Sequence, residues 1–183
     1  MAIPIIKQNG MKQTLLMVSC LLLILQGVSV SSNCQILKQM SADDNKKLIT
    51  DFYNEVWGKG NLDFADKVFH PDYIRHDLRP GNPLPGPEGQ KKIAADFRKA
   101  FPDLTIQLDL IFAADDFVTA RWTMSGTHTG KWGTIDPTNK KATFSGVNIF
   151  RMENGKVKEI WNHRDDFGLF DQLGVKVYAG SKQ

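Results

Sequence analysis

Cysteine is scarce in this chain of 183 residues: only Cys20 and Cys34 occur. Cys20 falls inside an N-terminal apolar segment that reads as a removable leader. Cys34 is then left alone, and no intrachain disulfide can staple the mature protein. Its stability must come from packing, with Cys34 a free thiol or an intermolecular bridge. No HExxH pair or Cys/His cluster is present to hold a metal. His70, Asp72, His76 and Asp77 are the nearest thing to a ligand set, and their spacing fits no metal motif. A Gly-rich phosphate loop, a nucleophile elbow and an Asn-X-Ser/Thr acceptor are also missing. No block of Lys and Arg with interleaved aromatics exists, which argues against nucleic acid as a partner. These gaps argue against a bound metal.

The long apolar stretch that does exist is "TLLMVSCLLLILQGVSV", preceded by Lys7 and Lys12 and followed by Ser31 and Ser32. A stable membrane anchor wants about twenty unbroken apolar residues, whereas Ser and Gln interrupt this run. The layout is that of a secretory signal peptide over residues 1–32, cleaved after Ser32 with Val30 and Ser32 as the small-pocket positions. The remaining residues, 33–183, are expected to form one secreted domain. Without the two leader lysines the net charge of +3 falls to +1, so the basic isoelectric point carries no functional message.

The rest of the chain contains 3.6-residue periodicity first and alternation afterwards. "SADDNKKLITDFYNEVWGKG" offers Ser41 as N-cap with Asp44 three residues on, then Leu48, Ile49, Phe52, Tyr53, Val56 and Trp57 at helical spacing, and Gly58 or Gly60 as the stop. Asn61 is expected to cap a shorter helix through Phe69. "HPDYIRHDLRPGNPLPGPEG" holds five prolines in twenty residues and reads as a surface loop, with Tyr73 and His76 at its start, lidding a pocket. "PEGQKKIAADFRKAF" is a third helix, closed by Pro102. Four strands follow: "TIQLDLIFAA", "FVTARWTMSGTH", "KATFSGVNIFRM" and "KVKEIWNHRD", joined by Asp115-Asp116, the loop "TGKWGTIDPTNK" and the hairpin signal Asn154-Gly155. Three helices and then an antiparallel meander give an α+β domain, its twisted sheet curling around the helices to leave a pocket.

Candidate site residues cluster late, in "EIWNHRDDFGLFDQLG". Strand alternation places Trp161, His163 and Asp165 on one face and Asn162 and Arg164 on the other. Asp165 or Asp166 alternatively caps the last short helix. Trp161 and Trp122 are wall or core. His128 belongs either to a pocket rim or to a turn, and Arg121 points outward or pairs with an acid such as Glu159 or Asp165.

The stretches "GPEGQKKIAADFRKAFPDL", "GTHTG", "FSGVNIFRMENGKVKEIW" and "DQLG" resemble the SnoaL-like family, the polyketide cyclase or ester cyclase branch of the cone-shaped nuclear-transport-factor-2-like (NTF2-like) fold. The likeness spans most of residues 45 to 174. It implies a mainly antiparallel, curved sheet enclosing a pocket under three N-terminal helices, and a sheet face that commonly pairs two subunits into a homodimer. It also implies an aldol-type ring closure with no metal or cofactor, in which an Asp on the last strand moves the proton and a His on the preceding strand assists. Anchored on the "NGK" hairpin, that Asp falls on Asn162 and that His on Asn148. An amide can hold a carbonyl or enolate oxygen but cannot titrate. Asp165 and His163 are the candidate replacements as catalytic groups; Asn148, Asn162, Trp161, Trp122, His128, His76 and Arg121 are the candidate ligand contacts. Two functions stay open. One is a cyclase or isomerase of a polyketide-like or terpenoid molecule. The other is a carrier for a small apolar molecule with carbonyl or hydroxyl groups.

Overall fold

A computed structural model describes residues 41–76 and 84–176. The expected leader, Cys34, Asp77 and the middle of the proline-rich segment lie outside the described residues.

The chain enters helix α1 (Ala42–Phe52) through the expected capping box. Ser41 Oγ accepts from the Asp44 backbone N–H, and the Asp44 carboxylate accepts from the Ser41 N–H, satisfying two donors that the first turn leaves open. The helix does not continue regularly to Trp57. It widens into a π-helical segment, Tyr53–Lys59, closed by Gly60 in the left-handed conformation (φ 76°). A short 3₁₀ turn (Leu62–Phe64) and helix α2 (Ala65–Val68) follow. Asn61 makes no side-chain cap, and its amide donates to Glu55 instead. The helix expected to reach Phe69 stops at Val68, because Phe69 is already extended.

Phe69 opens a strand that the proline count had hidden, β1 (Phe69–His76). The front of the supposed loop is therefore sheet, and Tyr73 and His76 are strand residues rather than the start of a lid. Two features let a proline-bearing segment do this. β1 is the edge of the sheet, and its register against its neighbour slips between Phe69 and Ile74, where Pro71 sits; an edge or bulge is where a missing backbone donor is tolerated. Burial of Phe69 and Tyr73 holds the strand down.

Helix α3 (Gly86–Ala100) leads to β2 (Thr105–Ala114), β3 (Phe117–Thr127), β4 (Lys141–Glu153) and β5 (Lys156–Arg164), and helix α4 (Asp166–Leu173) closes the fold. Asp115, Asn154 and Gly155 adopt positive φ at the two tight turns, as the sequence signals require. Among the described residues the sheet is a five-stranded curved layer in the order β1-β5-β4-β3-β2, with β1 and β5 parallel and the other neighbours antiparallel. Its inner face and the helices share one aromatic core. Phe52 meets Phe69 edge-on at 5.1 Å, Tyr53 meets Phe150 at 6.3 Å and Trp57 meets Phe97 at 5.9 Å, arrangements that suit ring quadrupoles.

Candidate functional site

Register decides what the inner face presents. Ala120 pairs with Asn148, and Asn148 with Asn162, in a straight line across β3, β4 and β5. One step along, Trp122 pairs with Gly146 and Gly146 with Arg164. Gly146 is needed there: a Cβ would stand 2.4 Å from Trp122 Cζ2 and 2.6 Å from the His163 carbonyl. The bare backbone lets the indole lie flat across β4.

These rows form the floor of a partly open cavity of about 360 Å³, its mouth included. From the sheet come Arg75, Trp122, Met124, Asn148, Asn162 and Arg164; from the helices come Tyr53, Trp57, Gln90, Ile93 and Phe97. The π-helical segment supplies Tyr53 and Trp57, and one stripe of α3 supplies Gln90, Ile93 and Phe97. Asn162 Nδ2 donates to Asn148 Oδ1, and Asn148 Nδ2 donates to the Tyr53 hydroxyl at 2.9 Å. This polar chain runs through an otherwise apolar wall. Burial pushes the Tyr53 hydroxyl far above the usual phenol range, against the opposing effects of the Asn148 bond and the Arg75 charge. Tyr53 is therefore a neutral hydroxyl.

Arg164 is fixed from three sides. Its Nε donates to Asp166, and its guanidinium lies 4.8 Å from the Phe97 ring centre and 5.2 Å from that of Trp132, a stacked geometry natural to arginine. Two buried polar atoms on the wall have no protein partner: Trp122 Nε1, on a residue 3% exposed, and Gln90 Oε1, on one 2% exposed. No lining side chain among the described residues is a carboxylate or an imidazole.

The other candidates lie elsewhere. Asp165 accepts from the Gly168 N–H at 2.8 Å and caps α4; it does not line the cavity. His163 is exposed on the opposite face of β5, so neither proposed catalytic replacement reaches Asn162. Trp161 also faces outward, stacked on His76 with ring centres 4.7 Å apart. His76 bonds Glu159 at 2.6 Å, as does Arg151, and the two together hold the Glu159 carboxyl below its ordinary range. Arg121 is outward and paired with an acid, but that acid is Asp109 rather than Glu159 or Asp165. His128 is buried in turn structure. The Thr138 backbone N–H donates to its Nδ1 at 3.3 Å, the Thr138 hydroxyl lies 3.2 Å away, and the ring packs against Phe101. Among the described residues no three His, Cys, Asp or Glu side chains converge as a metal set.

Sequence reasoning missed Arg75, Gln90, Tyr53 and Arg164 as site residues. Arg75 was hidden in a segment read as loop. Gln90 did leave a signal, a polar residue three before Ile93 and seven before Phe97 on a buried helical stripe. Arg164 shares the face of Asn162 by simple alternation.

The profile of the SnoaL-like polyketide cyclase family matches residues 47–173. Nogalonic acid methyl ester cyclase of Streptomyces nogalater is 26% identical over 123 residues, covering 65% of this chain and 90% of that protein. IdmH of Streptomyces antibioticus superposes with a TM-score of 0.61 at 27% identity, covering 72% of this chain and 99% of IdmH. TsrD of Streptomyces laurentii shares the fold with a TM-score of 0.69 at 24% identity, over 75% of this chain and 99% of TsrD.

Proposed function

The chain belongs to the SnoaL-like polyketide cyclase family, and we propose that it closes or isomerises a small polyketide-like or terpenoid molecule in this cavity without a cofactor. The observation that carries the reading is the Asn148–Asn162 pair. Two amides stand side by side, in register and tied to Tyr53, on a wall shared with Arg75 and Arg164.

Such a wall suits an enolate. When a C–H bond between two carbonyls breaks, negative charge moves onto oxygen. Preorganised amide N–H groups and nearby cations stabilise that charge at the moment it forms. The proton leaves to water at the open mouth of the cavity, since among the described residues no lining side chain is a carboxylate or an imidazole. The enolate carbon then attacks a second carbonyl, a C–C bond forms, and the new alkoxide takes a proton back from water. The protein's part is to hold the substrate folded, exclude bulk water from the reacting carbons and lower the energy of the anion.

The lack of a carboxylate or imidazole among the described lining residues favours a second reading, a carrier that orients its ligand and releases it unchanged. Proton exchange separates the two. A polycarbonyl substrate incubated in D₂O should lose its activated hydrogen faster with the protein than without it. Asn162→Leu should reduce that acceleration about 10²-fold, as loss of one oxyanion donor does. Binding with no acceleration would establish the carrier.

Two further proposals complete the picture. The leader layout supports export, with a mature N-terminus near Asn33 that N-terminal sequencing of secreted material would reveal; an intact leader on a cytosolic protein would refute it. A homodimer through the outer sheet face is supported by the apolar side chains exposed there, Leu110, Phe112 and Phe117.

A further inference from the structure

We infer that Gln90 and Trp122 read the ligand of this cavity: the occupant is a hydroxylated carbonyl compound whose carbonyl oxygen accepts the Trp122 indole N–H and whose hydroxyl donates to the Gln90 amide oxygen. The inference rests on reading this cavity as the functional site, and it deepens that reading by naming two polar contacts and the pair of groups that the ligand must carry.

Both residues are buried where folding has no use for their polar atoms. Gln90 lies on the stripe of α3 that also carries Ala94 and Phe97 and is 2% exposed, yet its Oε1, shut off from water, has no hydrogen-bond partner. Methionine would fill the same place without stranding a carbonyl, and a stranded buried acceptor weakens a fold. Trp122, on β3, is in the same position: it is 3% exposed and its Nε1–H has no partner. Its indole lies across bare Gly146 and stands edge-on to Phe144 at 6.1 Å, so packing rather than hydrogen bonding fixes where the N–H points.

Buried polar groups are almost always paired, so two unpaired ones lining one cavity mark where an occupant completes the bonding. Trp122 contributes from the sheet and Gln90 from the helical side. Their demands differ in kind. An indole N–H only donates and calls for an oxygen acceptor, which the carbonyl required for enolisation provides; an amide oxygen only accepts and calls for a hydroxyl. The neighbouring polar groups are already engaged. Asn148 bonds Tyr53 and Asn162, and Arg164 is held by Asp166, Phe97 and Trp132. Neither contact asks for a charge on the ligand. A carbonyl compound without the hydroxyl leaves the Gln90 oxygen stranded, and a site built to bond a hydroxyl rejects the analogue that lacks it.

Calorimetric titration with 5-hydroxy-1-tetralone, 7-hydroxy-1-tetralone and 1-tetralone tests this. All three keep the carbonyl, all are uncharged at neutral pH, and they differ only in the hydroxyl. At least one hydroxytetralone should bind about fivefold or more tightly than 1-tetralone. Gln90→Met, which keeps the volume and removes the amide, should cut that preference to near unity while leaving 1-tetralone binding unchanged or improved. The same variant should unfold at a higher urea concentration than the native protein, because it no longer buries an unpaired acceptor; a residue that merely supported the fold would shift the midpoint the other way. In nitrogen-resolved magnetic resonance spectra the Trp122 indole N–H signal, identified by its loss in Trp122→Phe, should move downfield when any of the three ketones is added. Equal affinity for the three ketones, a preference that survives Gln90→Met, a lowered midpoint for that variant, a stationary Trp122 signal, or no binding of any probe would overturn the inference. None of these results touches the cyclase reading, which stands or falls on Asn162-dependent hydrogen exchange.

Discussion

Replacing Tyr53 by Phe removes one oxygen and nothing else of consequence. The ring is 1% exposed and packs against Phe52 and Phe150, contacts that phenylalanine repeats. What disappears is the acceptor for Asn148 Nδ2 at 2.9 Å. Asn148 is only 7% exposed, so water does not readily take over, and the stranded donor should cost about 1–3 kcal/mol. Against a total stability of roughly 5–15 kcal/mol that is easily measured. With an m-value of about 2 kcal/mol per molar urea, a loss of about 2 kcal/mol moves the midpoint by roughly 1 M at unchanged m. Asn148→Leu alone removes the acceptor of the Asn162 Nδ2 bond and takes a partner from Tyr53. In the double variant the Tyr53–Asn148 clash of needs is gone, so its cost should fall short of the summed single costs by about 0.5 kcal/mol or more. Urea titrations followed by tryptophan fluorescence measure all three variants. A Tyr53→Phe midpoint unchanged within error, or strictly additive costs, would refute the claim that Tyr53, Asn148 and Asn162 act as one bonded unit.

Asn162→Asp should place a carboxylate at the position where the resembling cyclases carry their acid/base. Arg75 and Arg164 on the same wall oppose the effect of burial, so the new group is expected to be ionised at neutral pH. Its signature is a hydrogen-exchange rate raised about 10²-fold that falls as the pH drops through the carboxylate range; a pH-independent rate would count against it. Burial holds His128 below the ordinary imidazole range, and its Nδ1 accepts the Thr138 N–H only while unprotonated. The unfolded chain therefore binds this proton more readily, and stability is complete above about pH 6.5 and declines below it, by at most about 1.4 kcal/mol per pH unit. Denaturation midpoints of His128→Gln measured across that range should lose this slope, and an identical slope in both proteins would assign it to other groups. Light scattering at micromolar concentration should report a dimer for the native protein and a monomer for Phe112→Glu, since Phe112 is 64% exposed on the outer face; a native monomer would remove the dimer.

The last four strands were legible to within a residue or so because two independent signals agreed on each. Alternation gave Thr105–Ala114 its length, and turn residues with positive φ at Asp115 and Asn154 gave the hairpins their ends. β1 was illegible for the converse reason. Pro71 and the prolines after it outweighed the burial of Phe69 and Tyr73, and its parallel partner β5 lies some eighty residues away, beyond any local signal. The asparagine pair was reachable through the family resemblance, once its site positions were anchored on the "NGK" hairpin. The helical half of the cavity was not. Which face of the π-helical segment meets which strand follows from packing, and Tyr53 and Gln90 enter the site only through it.

Register, rather than the supply of acids, explains why no described residue lines the cavity with a carboxylate or an imidazole. His163 on β5 and Asp165 just beyond its end lie within three residues of Asn162, yet both are exposed away from the cavity. Bringing Asp165 inward would need a one-residue slip. That slip would carry Ile160 out of the core, where it is fully buried, and Arg164 off its Phe97 and Trp132 stack. It would also break the Gly146–Arg164 pairing that leaves room for the Trp122 indole. Asp165 is tied down a second time, through its N–H to the Ser145 carbonyl and its carboxylate to Gly168. The packing that makes the pocket thus fixes amides and guanidiniums on its polar wall. Under the proposed reaction, and with no carboxylate or imidazole among the described lining residues, the protein's leverage lies in stabilising the anion formed when a substrate proton leaves.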